Sequence, residues 1–342
     1  MTPQSWFIVI PPMGAAREVG LRCNAAFEQV LGKSQCKSFD CKTNAAFFFN
    51  ALKNPEESLV VNLVNHAFAI QCLTYKPSHC LVCALSPITL FTLNLLKSYS
   101  VKTCHWFFED YKRATYWKDV LPGYDYFFAI QKGPVESACA AIGHKYFFLP
   151  TAAATEGPSD QEPLLFQNQP PLKLHDIAFV GVPTDYRINI LEHCHANGIS
   201  MVIAGLGWEA YHGVLENCIA IPKWTDGKQV DSILKSAKIG INLSMVPPEN
   251  DLDNTHISPR VFDVLAAGLA LVTENVPLLK PTLPGITYRT FSNGNEAVDA
   301  VKRALTEYDA TAAIRLRNKE CIESAHTYFA RAEKIIALTE EQ

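Results

Sequence analysis

Short runs of apolar residues, each followed by a stretch with helical spacing, recur from one end of the chain to the other. That alternation is the signature of βα units in a parallel sheet. The runs fall into two series. The first comprises residues 6–10, 59–63, 81–85, 101–108, 126–130 and 146–149, with helical spacing over 24–31 and 88–97. The second comprises 177–182, 201–204, 218–221, 239–243 and 269–273. Between them, residues 151–174 are rich in Pro, Gln, Ser and Gly and show no apolar period, which reads as an interdomain connection. The pattern predicts an α/β protein with two Rossmann-like doubly wound domains facing a cleft, 1–150 and 175–298, joined by the linker 151–174. Residues 299–342 repeat Val301, Leu305, Tyr328, Ile335, Ile336 and Leu338 among charges, and predict a helical segment that packs on or crosses between the domains. Ligands of such sheets sit outside the carboxyl ends of the strands.

Length agrees: 342 residues exceed what one core usually fills and exclude a single small binding module. Thirty basic and thirty-four acidic residues leave a net charge of −4, so no overall positive field gathers nucleic acid or anionic lipid. An anionic ligand has to be held locally. Eleven cysteines, an odd count with one close pair at Cys80 and Cys83 and no secretory leader, point to reduced thiols and a cytoplasmic protein. The longest uncharged run, between His79 and Lys97, is interrupted by Ser86-Pro87, Thr89, Thr92 and Asn94. It reads as a strand turning into a helix rather than a transmembrane span.

The most informative segment runs from Ile257 to Gly268. Ser258 is placed to cap a helix, Pro259 fits its first position and Gly268 its exit. The free amides of the first turn, with Arg260, form an anion site suited to a diphosphate, and Asp263 could accept bonds from ribose hydroxyls. An ordinary capped helix with an Arg260–Asp263 surface pair has the same spacing.

The stretch Ser-Pro-Arg-Val-Phe-Asp-x-x-Ala-Ala-Gly over 258–268 resembles the nucleotide-sugar signature of GT-B glycosyltransferases, in the version found in CgeB-like (spore-maturation type) proteins of the glycosyl transferases group 1. Other pieces agree in order: 175–181 followed by Arg187, 204–208, 239–243, and His326-Thr327-Tyr328-x-x-Arg331. In the first half Trp106 to Tyr111 and Tyr124 to Phe127 are also similar. The likeness covers the second half well and the first half thinly. It implies a GT-B-like glycosyltransferase, moving a hexosyl or related sugar from a nucleoside-diphosphate sugar held by the C-terminal domain. The acceptor, a glycan, protein or small molecule, would lie on the N-terminal side. No metal or other cofactor is implied. Arg260 and the helix start would bind the pyrophosphate, and Asp263 takes the place of a family acid, commonly Glu, that contacts ribose. A second Glu, eight residues earlier in the large retaining group, is replaced by Thr255. That departure leaves stereochemistry and sugar open.

Further donor-side candidates are Gly181 with Arg187, the turn Gly205-Leu206-Gly207-Trp208, and Asn242. Glycine lets backbone approach a phosphate, and Trp208 could stack on a base. An ordinary strand-to-loop glycine explains Gly181 equally well. Glu109 and Asp110, with His105, offer a general base for an acceptor hydroxyl, although Asp110 could equally cap a helix. Gly14 and Arg17, in the loop after the first strand, could meet the donor phosphates or be plain surface. Asp251-x-Asp253 has a metal-binding form but reads as a solvated turn, and Cys80/Cys83 and His193-Cys194-His195 lack metal-site spacing. No metal site is expected. Neither a Ser-hydrolase elbow nor a P-loop occurs. A nucleotide-sugar epimerase and a non-catalytic sensor or inactive partner remain as alternatives.

Overall fold

The computed structural model describes residues 4–154, 173–247 and 256–340. The chain divides into two compact units: unit 1 is Met1–Thr151 with Tyr328–Gln342, and unit 2 is Ala152–Thr327.

Unit 1 contains β1 (Trp6–Ile10), β2 (Cys36–Asp40), β3 (His79–Cys83), β4 (Lys102–Phe107), β5 (Tyr126–Ala129) and β6 (Lys145–Phe148). They form one parallel sheet in the order β2-β1-β3-β4-β5-β6. Unit 2 contains β7 (His175–Val180), β8 (Met201–Ala204), β9 (Ile219–Ile221), β10 (Ala237–Asn242), β11 (Ala270–Glu274) and β12 (Arg289–Phe291). Its sheet, also parallel, runs β12-β11-β10-β7-β8-β9. Each sheet is therefore doubly wound. The winding reverses between β1 and β3 in unit 1 and between β7 and β10 in unit 2, and a crevice opens at the carboxyl end of such a reversal. Along β7 the side chains alternate as a two-sided sheet requires: Ile177 and Phe179 enter one core and Ala178 and Val180 the other.

Three elements differ from the sequence reading. Residues 59–63, expected as a strand, lie within the helix Glu57–Tyr75, whose Val60, Val64, Phe68 and Cys72 are buried at four-residue spacing. The β-branched pair Val60-Val61 imitates a strand locally, but the helical period continues for three more turns. The strand that takes its place is β2, which buries only Cys36 and Phe39 and exposes Lys37 and Ser38, as an edge strand can. β12 is three residues long and carries no apolar run.

The stretch 299–342 is divided between the units. Helices Gly294–Thr306 and Ala312–Ala325 belong to unit 2, whereas Tyr328–Glu340 belongs to unit 1 and packs on the helix Gly14–Leu31. Arg331, buried in that last helix, donates to the carbonyls of Pro150 (2.8 Å) and Thr151 (2.9 Å). Among the described residues no helix is long and apolar enough to cross a membrane.

Candidate functional site

The helix Pro259–Ala266 begins with Ser258 outside the helical region, its Oγ accepting the Arg260 amide at 3.3 Å, and Gly268 follows the last turn at φ +73°. Val261, Phe262, Val264 and Leu265 form its buried face. It lies directly on β10 because Gly240 has no side chain: a Cβ there would stand 2.3 Å from Val264 Cγ2. The helix start is thereby held at the carboxyl end of the sheet.

At that point a cavity of about 180 Å³ opens between the ends of β7 and β10, at the reversal of the winding. Its wall is formed by Phe179, Val180 and Gly181, by Ile241, Asn242 and Leu243, by Arg187, and by Ser258, Pro259 and Arg260. Five of the donor-side candidates, Gly181, Arg187, Asn242, Ser258 and Arg260, thus meet in one place. Arg260 donates through one Nη to Asp263 at 2.9 Å, and its other N–H groups have no partner among the described residues. Asp263 uses its second oxygen to accept the Ala154 amide at 3.0 Å. Its carboxylate therefore orients Arg260 and ties down residue 154, with lone pairs remaining for further donors. Asn242 is nearly buried and donates to Thr273 Oγ1 at 3.0 Å.

Arg187 corrects the picture of a cation held out toward a ligand. Its Nε donates to the carbonyls of Leu243 (3.2 Å) and Ser244 (3.0 Å), and its two Nη atoms to Val182 (3.0 Å) and Leu243 (2.8 Å). The guanidinium also lies over the Phe179 ring. It walls the cavity as a fixed charge. Gly205 and Trp208 are not part of the cavity wall. Gly205, at φ +148°, passes so close beneath β7 that a Cβ would stand 2.2 Å from the Gly181 carbonyl oxygen. Trp208 is 1% exposed within the core, and its indole N–H donates to that same carbonyl at 2.8 Å. Its ring is not available to stack on a base.

One residue at this edge escaped the sequence reading. Glu274, the last residue of β11, is 1% exposed. It accepts the Ser244 amide at 2.7 Å and the Ser244 hydroxyl at the same oxygen. Burial pushes its carboxyl above the usual range, opposed by the bonds from Ser244 and by the charge of Arg187. A Glu closing an apolar strand, at 274 after 269–273, was the available signal.

In unit 1, Glu109 stands two residues beyond β4, half-buried, its carboxyl raised by burial and partly pulled back by Arg113. Asp110 does not cap a helix. It opens a turn, its carboxylate accepting the Lys112 amide at 2.8 Å and its carbonyl the amides of Arg113 and Ala114. His105 is a core residue rather than a base: it stacks on Tyr124 at 4.6 Å and bonds the Val82 carbonyl through Nδ1 at 2.8 Å. Burial pushes its pKa down to about 3. Arg17 is engaged with Asp40 by two bonds of 2.6 and 2.8 Å, so it is not free for a phosphate. Gly14 begins its helix at φ +67° with no atom within 4 Å of a would-be Cβ.

Asp251, Asp253 and Thr255 lie outside the described residues. Cys80 and Cys83 contact different partners, Cys72 and Cys23 respectively. His193 bonds Asn295 at 2.8 Å, and no three His, Cys, Asp or Glu side chains among the described residues are placed to hold a metal ion.

With this geometry in place, similarity to other proteins points the same way. The glycosyl transferase-like family pattern matches residues 187–337, which include the wall residues Arg187, Asn242 and Ser258 to Arg260. No curated protein matches the sequence. Among solved structures, sucrose-phosphate synthase from Thermosynechococcus elongatus aligns with a TM-score of 0.64 at 12% identity, over 99% of this chain and 98% of that one. Anabaena HepE in complex with UDP-glucose aligns at 0.62 and 10% identity, over 99% and 100%. The N-terminal domain of trehalose-6-phosphate phosphatase from Candida albicans aligns at 0.60 and 10%, over 98% and 96%. The chain has the GT-B fold: two Rossmann-like domains, each with a six-stranded parallel sheet.

Proposed function

We propose that the chain is a glycosyltransferase whose unit 2 holds a nucleoside-diphosphate sugar in the cavity between β7 and β10, and whose unit 1 binds the acceptor. The observation that carries this reading is the convergence of the Arg260 guanidinium, the positive end of the helix Pro259–Ala266, the fixed charge of Arg187 and the side-chain-free backbone of Gly181 on one cavity at a winding reversal. The amides expected free in the first turn are not, since Pro259 has none and those of Arg260 and Val261 are taken by Ser258. A guanidinium with N–H groups to spare, a second fixed cation and a helix dipole beside one point stabilise the charge that a departing diphosphate develops. In the reaction the bond from the anomeric carbon to the diphosphate oxygen breaks, a bond to the acceptor oxygen forms, and the hydroxyl proton leaves. Glu109 is the proton acceptor that unit 1 offers, since burial raises its carboxyl above the ordinary range and makes its carboxylate a stronger base. The cationic groups are the protein's own, and the reading calls for no metal. Similarity over 187–337 and the UDP-glucose bound by the Anabaena neighbour support a nucleotide-sugar donor. The 258–268 stretch supports the CgeB-like version, and the eleven free cysteines suit a reducing compartment such as the cytoplasm.

The test is a thermal-shift screen of nucleoside diphosphates and their sugars against the wild type and Arg260→Ala. A ligand at about 100 times its Kd should raise the melting temperature by on the order of 5 °C. A panel that shifts neither protein, or shifts both equally, would sink the reading.

A further inference from the structure

We propose that Glu274 is the positioning residue of the donor cavity, fixing the Leu243–Ser244 backbone on which Arg187 is seated. The inference rests on the donor reading of the same cavity. β11 pairs with β10 in register, Thr273 beside Asn242, so Glu274 reaches the carboxyl edge level with the residues that follow Asn242. There it grips Ser244 from one side, accepting its amide at 2.7 Å and its hydroxyl. Arg187 grips the same residue from the other side, its Nε 3.0 Å from the Ser244 carbonyl oxygen. Two of the three carbonyls that seat the guanidinium are thus successive, those of Leu243 and Ser244, the third being Val182. The Ser244 amide that Glu274 holds and the Leu243 carbonyl that accepts from Arg187 belong to one peptide, so rotation of that peptide would turn this acceptor away and shift the charge that walls the cavity.

Burial at 1% exposure makes this carboxylate costly, and a neutral acceptor would satisfy a serine amide with less desolvation. What the position requires is an anchor that accepts two bonds at one oxygen, which a Gln carbonyl also does and a Met thioether does not.

The experiment measures affinity for adenosine, cytidine, guanosine, thymidine and uridine diphosphates, and for inorganic pyrophosphate, by calorimetry beside melting temperature. The proteins are wild type, Glu274→Gln, Glu274→Met and Arg260→Ala. Gln keeps an acceptor at the same reach, whereas Met keeps the length without one. We expect Met to weaken the best diphosphate about tenfold, Gln to stay within about threefold, and the melting temperatures of the two not to follow that order. Affinity in Glu274→Met equal to wild type, or lost in both variants in step with melting temperature, would overturn the positioning role. If the wild type binds none of the panel, the donor reading itself falls. Binding that is lost in Arg260→Ala but intact in Glu274→Met overturns only the inference.

Discussion

At the carboxyl edge of the unit 2 sheet, a helix start, two arginines and the bare backbone of Gly181 leave a cavity open where the winding reverses. At the matching reversal of unit 1, between β1 and β3, the polar groups are satisfied from within. Asn65, nearly buried, accepts from the Thr89 amide and the Thr92 hydroxyl and donates to the Pro87 carbonyl. Leu85, at φ +63°, gives its amide to the Tyr116 hydroxyl at 2.8 Å. Arg17 beside β1 is spent on Asp40, and further along the same sheet, two residues beyond β4, stands Glu109, an acid where unit 2 has cations. A doubly wound sheet supplies an edge in both cases. Whether that edge can receive an anion depends on whether local side chains leave its donors unspent.

The sharpest way to break this division of labour is to mutate one residue on each side. Glu109→Gln should lower kcat by about 10²- to 10⁴-fold and leave diphosphate affinity within error. Arg260→Ala should weaken diphosphate binding by about 10- to 100-fold. Steady-state kinetics with calorimetry reads both. Loss of diphosphate binding in Glu109→Gln would erase the distinction.

Backbone supplies the next largest effect. Gly205→Ala forces a Cβ into the Gly181 carbonyl at φ +148°, and should cost unit 2 about 3 kcal/mol or more. Gly14→Ala, at φ +67° in open space, should cost only about 1 kcal/mol. Denaturant melts compare them, and equal losses would mean that Gly205 is not packed as described.

These two glycines show what a sequence does and does not disclose. The helix Pro259–Ala266 was legible because Ser258, Pro259 and Gly268 are short-range signals whose meaning does not depend on the rest of the fold. The apposition of Gly205 on Gly181, the fit of Gly240 under Val264, and the reach of Glu274 to Ser244 each depend on which strands become neighbours. No local pattern carries that. Arg187 was legible as a residue of the site, but its engagement with three carbonyls was not, because those carbonyls come from two different strand ends. The run 59–63 misled for the converse reason: its local composition is strand-like, and only the buried spacing through Cys72 reveals a helix.

A smaller, pH-dependent effect belongs to unit 1. His105 is buried neutral with its pKa depressed from 6.5 to about 3, so the unfolded chain binds its proton first. Stability from this residue is present above pH 6.5 and is lost as the pH falls toward 3, with a limiting slope of about 1.4 kcal/mol per pH unit. Glu109, raised instead, acts in the opposite sense and gains stability as the pH falls. His105→Phe should flatten the acid limb of a stability profile taken from pH 7 to 4. An unchanged limb would place the titrating group elsewhere.

A last effect separates packing from recognition within unit 2. Trp208 fills the core and holds the Gly181 carbonyl by one N–H bond, with its ring away from the cavity wall. Trp208→Phe removes that bond and leaves a modest void, so it should cost about 1–2 kcal/mol, a fall in melting temperature of roughly 2–8 °C. Because the ring does not reach the ligand, the order in which nucleoside diphosphates stabilise the protein should stay as it is in the wild type. A changed order of bases would mean that the indole reads the nucleotide directly. The stacking role read from the Gly205-Leu206-Gly207-Trp208 turn would then describe the residue better than its surroundings do.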